Sequence, residues 1–202
     1  MNIELASYYF DAAAFGILIV IWFGFAANFF ARKKPESSPD AVSAPKSWLG
    51  IILQGVGFGL VWGIRRTPTF SPFVDDQYGL NIALQVLAVA IALCSVWLAV
   101  AAIKELGKQW SLGARLIEDH KLVTTGVYNI VRHPIYTAMF GMMFATGLVF
   151  SHWIGLAAAV VIFFIGTKIR TNLEEGLLRD AFGEEFTTWE RRVPGLLPFI
   201  RI

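Results

Sequence analysis

The feature that most constrains this chain is the separation of long apolar segments from the residues that carry charge. Of its 202 residues, 56% are hydrophobic and only 16% are charged, whereas a soluble globular domain averages about 25% charged residues. Residues 12–31 form a run of twenty residues without a charge. At 1.5 Å per helical residue this run reaches about 30 Å, the thickness of the hydrocarbon core of a bilayer. The sequence therefore predicts an integral membrane protein.

Four further apolar runs follow the first, and together they predict five transmembrane helices. The runs cover residues 48–64, 79–103, 135–150 and 153–167. Only Ser151 and His152 separate the last two, so we expect these two to form a helical hairpin. The runs lack the period-two alternation of barrel strands, which favours an all-α membrane fold over a β-barrel.

The second run contains a glycine pattern that superficially resembles a nucleotide-binding fingerprint. Gly55, Gly57 and Gly59 form G-x-G-x-G, but a dinucleotide-binding turn needs a strand before it and a helix after it. These glycines lie inside an apolar run instead. We therefore expect them to allow close packing between helices.

The distribution of positive charge predicts the orientation and excludes several partners. Fifteen of the 17 Lys and Arg residues fall on one side of the predicted spans, and only Arg65 and Arg66 fall on the other. The positive-inside rule then places the long connections and the C-terminus on the cytoplasmic side. The membrane would be a prokaryotic inner membrane or that of the endoplasmic reticulum. A net charge of +2 gives no reason to expect nucleic acid. A single Cys excludes an internal disulfide and a thiolate zinc site, and no metal is expected.

The charge pattern also predicts that the chain is divided into two parts. Residues 1–103 form a three-helix transmembrane region with a flexible, Pro- and Ser-rich cytoplasmic linker at 32–47. Residues 104–202 combine a cytoplasmic segment, the hairpin 134–167 and a C-terminal helix with its tail.

The second part places polar residues at the membrane boundary in a way that needs an explanation. Arg170 and Glu174 lie one helical turn apart directly after the fifth run, so they can pair. Because a charge inside the bilayer costs roughly 2.5 to 3.5 kcal/mol even on the insertion scale, we expect them to face a wet cavity or each other. The alternative is an interfacial helix whose long side chains reach the headgroups. In the same way, His133 and Tyr136 could simply anchor a helix at the interface.

Several motifs in this part together resemble a known family. They read H-K-L-V-T-T-G-V-Y, R-H-P-I-Y, R-T-N-L-E-E-G-L-L, F-G-E-E-F and R-V-P-G-L-L-P-F-I, in this order, between Gly107 and the C-terminus. The chain resembles the integral-membrane methyltransferases of the isoprenylcysteine carboxyl methyltransferase family, to which phospholipid methyltransferases are related.

The resemblance implies methyl transfer from S-adenosylmethionine to a lipophilic acceptor at the cytoplasmic membrane face, with the carboxylate of a prenylated cysteine as the best candidate. It implies that Arg170 contacts the acceptor. The residues that it implies for the cofactor are His120, Leu122, Val123, Tyr128, His133, Pro134, Ile135, Tyr136 and Glu174, with Gln109 as a weaker candidate. We also expect the C-terminal part to form a helical lid over the cofactor, which residues 182–186 and Trp189 would pack onto the membrane. The acceptor would arrive from the bilayer between the third, fourth and fifth spans.

Three other functions remain open from the sequence. Sterol and steroid reductases, which use NADPH, resemble the family around R-H-P-x-Y. A phospholipid or thiol methyltransferase would use the same donor on another acceptor. A non-catalytic lipid-binding protein would keep the boundary charges only as anchors.

Overall fold

The structure is a computed structural model that describes residues 3–30, 42–44, 46–67, 69–74, 76–113, 115–116 and 120–198. Within these ranges the regular structure is almost entirely helical, which confirms the predicted all-α class. The helices are α1 (Ile3–Phe30), α2 (Ser47–Gly63), α3 (Tyr78–Leu106), α4 (Pro134–Phe150), α5 (Trp153–Phe182) and α6 (Glu184–Arg192). Two strands of two residues each, β1 (Val42–Ser43) and β2 (Arg115–Leu116), form a short antiparallel pair.

The second and fourth helices begin and end within one residue of the predicted runs, and Pro134 occupies the first turn of α4 as expected. The first and fifth helices are longer than predicted. Helix α1 begins at Ile3 rather than residue 12, because Asp11 lies inside it with a partner: the Asn81 amide on α3 donates to both carboxylate oxygens at 2.9 and 3.0 Å. Helix α5 continues fifteen residues beyond 167. Charged residues therefore do not end these two helices.

Among the described residues, three helices are long and apolar enough to cross a bilayer: Ile3–Phe29, Tyr78–Gln109 and Trp153–Phe182. Their outward surfaces carry large apolar side chains, such as Val20, Phe23 and Trp97, as lipid contact requires. The chain is thus an integral membrane protein. Helices α2 and α4 have 17 residues each, and their crossing of the membrane stays a prediction.

Helix α2 packs along α5, α3 along α4, and α1 along α3. The contact between α2 and α5 is close because glycines face each other: a Cβ on Gly166 would lie 2.8 Å from the Gly50 carbonyl oxygen. Gly57 similarly lies against Phe163. The packing prediction is wrong for the other two glycines of the pattern, Gly55 and Gly59, because a Cβ on either would meet nothing within 4 Å.

The far end of the hairpin is fixed by Arg66. Its guanidinium donates to the carbonyl oxygens of Leu148 at 3.1 Å, Ser151 at 3.4 Å and Val149. The last carbonyl groups of a helix have no partner within it, so Arg66 satisfies the end of α4. The other end of α4 begins the site described below.

The C-terminal part packs on the protein rather than on the membrane. Phe186 and Trp189 of α6 are buried with Val127 and Tyr128, and the Trp189 indole donates to the Tyr128 carbonyl oxygen at 3.3 Å. The expectation that α6 packs onto the membrane through these residues is therefore wrong. The amphipathic sequence of α6 has its apolar side satisfied by the end of α3 and the turn before α4.

The segment after α6 is held against the start of α4. The backbone N–H groups of Arg132 and His133 donate to the carbonyl oxygens of Pro194 and Gly195 at 2.8 and 3.0 Å. Most of the predicted linker at 32–47 lies outside the described residues, and the division at residue 103 stays a prediction.

Candidate active site

A cavity opens where the end of α3, the segment 120–128, the start of α4 and the second half of α5 meet. The space not filled by atoms, including the open entrance, is about 970 Å³. All eleven residues singled out from the sequence line it: Gln109, His120, Leu122, Val123, Tyr128, His133, Pro134, Ile135, Tyr136, Arg170 and Glu174. The structure thus brings them together in one cavity.

Arg170 lies on the α5 side of the cavity and is 3% exposed. Its Nη1 donates to Oε1 of Gln54 at 3.0 Å, and its Nη2 donates to the carbonyl oxygen of Leu112. The guanidinium carbon lies 4.7 Å from the centre of the Tyr136 ring, within cation–π range. Its Nε has no hydrogen-bond partner among the described residues. Arg170 is therefore held in place while its Nε donor stays unused.

Glu174 lies one turn after Arg170, and its Oε1 is 3.9 Å from Nη2 of Arg170, so the two form the ion pair that their spacing predicts. The Tyr136 hydroxyl donates to the same carboxylate. Nδ1 of His133 lies 3.6 Å from its other oxygen, too far for a hydrogen bond. The Glu174 side chain keeps 25% of its surface exposed, which leaves this carboxylate accessible from the cavity.

His133 is held from behind by a residue that the sequence analysis did not single out. Its Nε2 lies 2.7 Å from Oε1 of Glu175, and the same carboxylate accepts from Arg132 at 2.8 and 2.9 Å. Burial by itself lowers the pKa of His133, but the carboxylates of Glu174 and Glu175 more than offset this and raise it above its ordinary value. The imidazole ring is thus fixed with one nitrogen on Glu175 and the other toward the cavity.

The E-E pair was visible in the sequence, yet only its first member was assigned a role. Neighbouring residues on a helix point in directions about 100° apart, so the two carboxylates have different surroundings. Glu175 instead faces His133 and Arg132. Arg132 also donates to the carbonyl oxygens of Glu190 and Val193 at 3.0 and 2.7 Å, which ties the C-terminal part to the start of α4.

The segment 120–128 forms the wall opposite α5. The side-chain carbonyl of Gln109 accepts from the backbone N–H of Lys121, so Gln109 helps to place this segment. Burial lowers the pKa of His120, and its Nδ1 has no partner among the described residues. Burial, with the nearby Glu174 and Glu105, raises the pKa of Tyr128 well above its ordinary value. Tyr128 therefore stays protonated, and His120 favours its neutral form.

One side of the cavity is apolar and was not identified from the sequence. It is formed by Phe29 at the end of α1, Trp110 after α3 and Met139 on α4. The rings of Phe29 and Trp110 are 6.2 Å apart. The cavity thus combines oppositely charged groups with an apolar wall that begins where the apolar helices end.

Three kinds of similarity to known proteins agree with this architecture. Residues 83–185 match the phospholipid methyltransferase family. The chain is 35% identical over 83 residues to protein-S-isoprenylcysteine O-methyltransferase B of Arabidopsis thaliana, which is 41% of this chain and 42% of that protein. It is 28% identical over 151 residues to the Schizosaccharomyces pombe protein-S-isoprenylcysteine O-methyltransferase, covering 72% of this chain and 61% of the relative. The matched family residues make up half of the chain.

The fold itself is similar to a solved structure. A eukaryotic intramembrane Ras methyltransferase, an isoprenylcysteine carboxyl methyltransferase, superposes with a TM-score of 0.60 at 19% identity. The superposition covers 96% of this chain and 68% of that one. The chain spans less than two thirds of the length of the curated relatives that it matches.

Fold and site therefore define an integral membrane protein with an amphipathic cavity at one end of its helices. The chain belongs to the phospholipid methyltransferase family, and its similarity to the isoprenylcysteine carboxyl methyltransferases confirms the resemblance seen in the motifs.

Proposed function

We propose that this protein transfers a methyl group from S-adenosylmethionine to the carboxylate of a lipophilic acceptor, with a prenylated cysteine as the best candidate. The observation that carries the proposal is the pair Arg170 and Glu174. It offers an anion-binding and a cation-binding group one helical turn apart, in a cavity whose other side is apolar.

The residues present fit the donor. Glu174 is an accessible carboxylate that can bind a positive charge, and the Tyr128 and Tyr136 rings can add cation–π contacts. The unpartnered Nδ1 of His120 is the kind of buried polar atom that a ligand normally satisfies. We propose that Gln109, His120, Leu122, Val123, Tyr128, His133, Pro134, Ile135, Tyr136 and Glu174 bind the donor.

When bound, S-adenosylmethionine supplies a methyl group on a positively charged sulfur, which a carboxylate oxygen can accept without losing a proton first. The protein then has to position the acceptor rather than activate it. A guanidinium can hold a carboxylate by two parallel hydrogen bonds. Too strong a hold would slow the reaction, since the negative charge disperses during attack. Arg170 already donates to Gln54 and Leu112, which leaves it a limited number of donors for the acceptor.

The apolar side of the cavity suits the hydrocarbon part of the acceptor. Phe29, Trp110 and Met139 form it, so a prenyl chain lying there would bring its polar end toward Arg170. We propose that the acceptor arrives from the bilayer and the donor from the cytosol, with α6 and the segment after it forming a lid on the cytoplasmic side. The excess of positive charge at this end supports that orientation.

The first experiment measures donor binding to the purified protein. We expect Glu174→Gln to weaken binding of S-adenosylmethionine by about tenfold or more, because a hydrogen-bonded charge is lost. Arg170→Met should spare donor binding and abolish methyl transfer. Glu184→Gln and Arg191→Met make the same chemical changes at exposed positions of α6 and serve as matched controls.

Two outcomes would contradict the assignment. Unchanged donor affinity in Glu174→Gln would remove this residue from the donor site, and the reverse behaviour of the two variants would exchange their roles. If NADPH rather than S-adenosylmethionine raises the melting temperature of the wild-type protein, a reductase replaces the methyltransferase. Binding of neither would favour a lipid-binding protein.

The second experiment identifies the acceptor class. A phospholipid amine is the second candidate, because the matched family is that of the phospholipid methyltransferases. Membranes that contain the protein are incubated with donor labelled in the methyl group. We expect mild base to release the label from the lipid phase as methanol, as an ester does. A base-stable label would indicate methylation of nitrogen or sulfur instead.

A further inference from the structure

Gln54 on α2 contacts Arg170 directly, although 116 residues separate the two in the chain. The Gln54 side chain is 2% exposed. Its Oε1 accepts from Nη1 of Arg170 at 3.0 Å, and its Nε2 donates to the hydroxyl oxygen of Thr167 at 2.9 Å. Gln54 lies outside the residues 83–185 that match the family. The arginine of the cavity is therefore held by a helix that the family match does not include.

The chemistry of the partners fixes the orientation of the Gln54 amide. A guanidinium has donors and no acceptor, so the amide oxygen must face Arg170 and the amide nitrogen must face Thr167. Thr167 and Arg170 lie three residues apart on α5, on one face of the helix. Gln54 thus bridges two positions of α5 that lie about one turn apart, and it has one possible orientation.

The helices are close enough for this bridge because two positions lack a side chain. A Cβ on Gly50, one turn before Gln54, would overlap Cγ of Arg170 and lie 2.6 Å from the Gly166 carbonyl oxygen. A Cβ on Gly166 would lie 3.1 Å from the backbone nitrogen of Gln54. Helix α2 therefore lies against the aliphatic part of Arg170, while Gln54 holds its end.

Gln54 is an uncharged partner, so it does not neutralise the positive charge of Arg170. The carboxylate closest to Arg170 among the described residues, Glu174, is 3.9 Å away, so the guanidinium is only partly compensated. A glutamate at position 54 would pair with Arg170 and compete with an anionic ligand. An amide orients the guanidinium without adding a negative charge.

We propose that Gln54 is a positioning residue that orients the Arg170 guanidinium and preserves its positive charge for the carboxylate of the acceptor. This inference rests on the proposed function and adds a determinant of acceptor charge to it. It predicts that position 54 controls discrimination between an anionic acceptor and an uncharged analogue of the same shape.

The test compares Gln54→Met and Gln54→Glu with the wild type in methyl transfer and in binding. The ligands are an N-acylated, S-prenylated cysteine and its primary amide, which has no charge and whose affinity is measured by competition with the acid. We expect Gln54→Met to lower kcat/KM for the acid about tenfold, and Gln54→Glu to raise its KM further. Affinity for the amide and for S-adenosylmethionine should stay within about twofold of wild type, because the charge of Arg170 does not select them.

The controls separate positioning from packing. Gln85→Met makes the same change at another buried glutamine, on α3, away from the cavity lining, and should leave the acid-to-amide affinity ratio unchanged. Thr167→Val removes the partner of the Gln54 side-chain nitrogen. It should lower the ratio of the affinities for acid and amide less than Gln54→Glu does, and Thr167→Ser should restore this ratio. These two variants test the bridge even if Gln54→Met fails to fold.

The outcomes distinguish this inference from the proposed function. Equal losses for acid and amide in both Gln54 variants, with an active wild type, would overturn the inference and leave the methyltransferase intact. A wild type that neither binds the donor nor methylates the acid overturns both.

Discussion

Gly166→Ala should disturb the close contact between α2 and α5 that brings Gln54 to Arg170. The added Cβ would lie 2.8 Å from the Gly50 carbonyl oxygen and 2.8 Å from Cβ of Leu53. Ordinary contact between carbon atoms is about 3.5–4.0 Å, so α2 must move away by roughly half an ångström or more. Two of the three nearest atoms belong to the backbone of α2, so a change of rotamer cannot relieve the overlap.

The expected change in the free energy of unfolding follows from two opposing effects. Overpacking a close contact costs about 1–3 kcal/mol, and replacing glycine by alanine inside a helix returns up to about 1 kcal/mol. For a chain of this length each kcal/mol changes the melting temperature by about 2–4 °C. We therefore expect Gly166→Ala to melt several degrees lower than the wild type. Methyl transfer should fall as well, because Gln54 moves with α2.

Gly176→Ala is the matched control, since it makes the same change on the same helix where a Cβ meets nothing within 4 Å. It should melt at or slightly above the wild-type temperature. The assay is thermal unfolding of the detergent-purified variants, followed by donor binding and methyl transfer at a temperature where both are folded. If the two variants melt alike, the close glycine contact between α2 and α5 does not have the role argued here.

Three further predictions concern the cavity. Tyr136→Phe removes the hydroxyl that donates to Glu174 and keeps the ring below Arg170. The affinity for S-adenosylmethionine, measured by calorimetry, should therefore fall by about fivefold. An unchanged affinity would argue against this hydrogen bond. The fold raises the pKa of His133, so the stability that this residue contributes is complete below about pH 6.5 and is lost as the pH rises through the raised pKa. The wild type should therefore melt above His133→Gln by a margin that shrinks as the pH rises. A margin that grows with pH would contradict this linkage. Arg132→Met removes two hydrogen bonds to the segment around Val193, so limited proteolysis should cut that segment faster, and equal rates would mean that other contacts hold it.

The sequence by itself determined the helical architecture, because each helix follows from a property of consecutive residues. The runs at 48–64 and 135–150 correspond to α2 and α4 within one residue. Their ends are marked by local signals, such as Pro134 in the first turn of α4 and the two-residue turn before α5. The resemblance carried by the motifs pointed to ten residues, and to Gln109 upstream of them, and all eleven line one cavity.

The ends of α1 and α5 required the tertiary structure. The first run starts after Asp11 and the fifth stops before Lys168, so the Asp11 and Arg170 charges both lie outside the predicted runs. Each stays inside its helix because another helix supplies a partner, Asn81 for Asp11 and Gln54 for Arg170. A single segment contains no information about a partner that lies 70 or 116 residues away.

Only the tertiary structure decided which members of similar pairs act in the site and in the packing. Glu174 faces the cavity while Glu175 faces His133, and Gly57 contacts Phe163 while Gly55 faces open space. Residues of one type at neighbouring positions look equivalent in the sequence. They become different when the rotation of each helix about its own axis is fixed, and packing against all the other helices together determines that rotation.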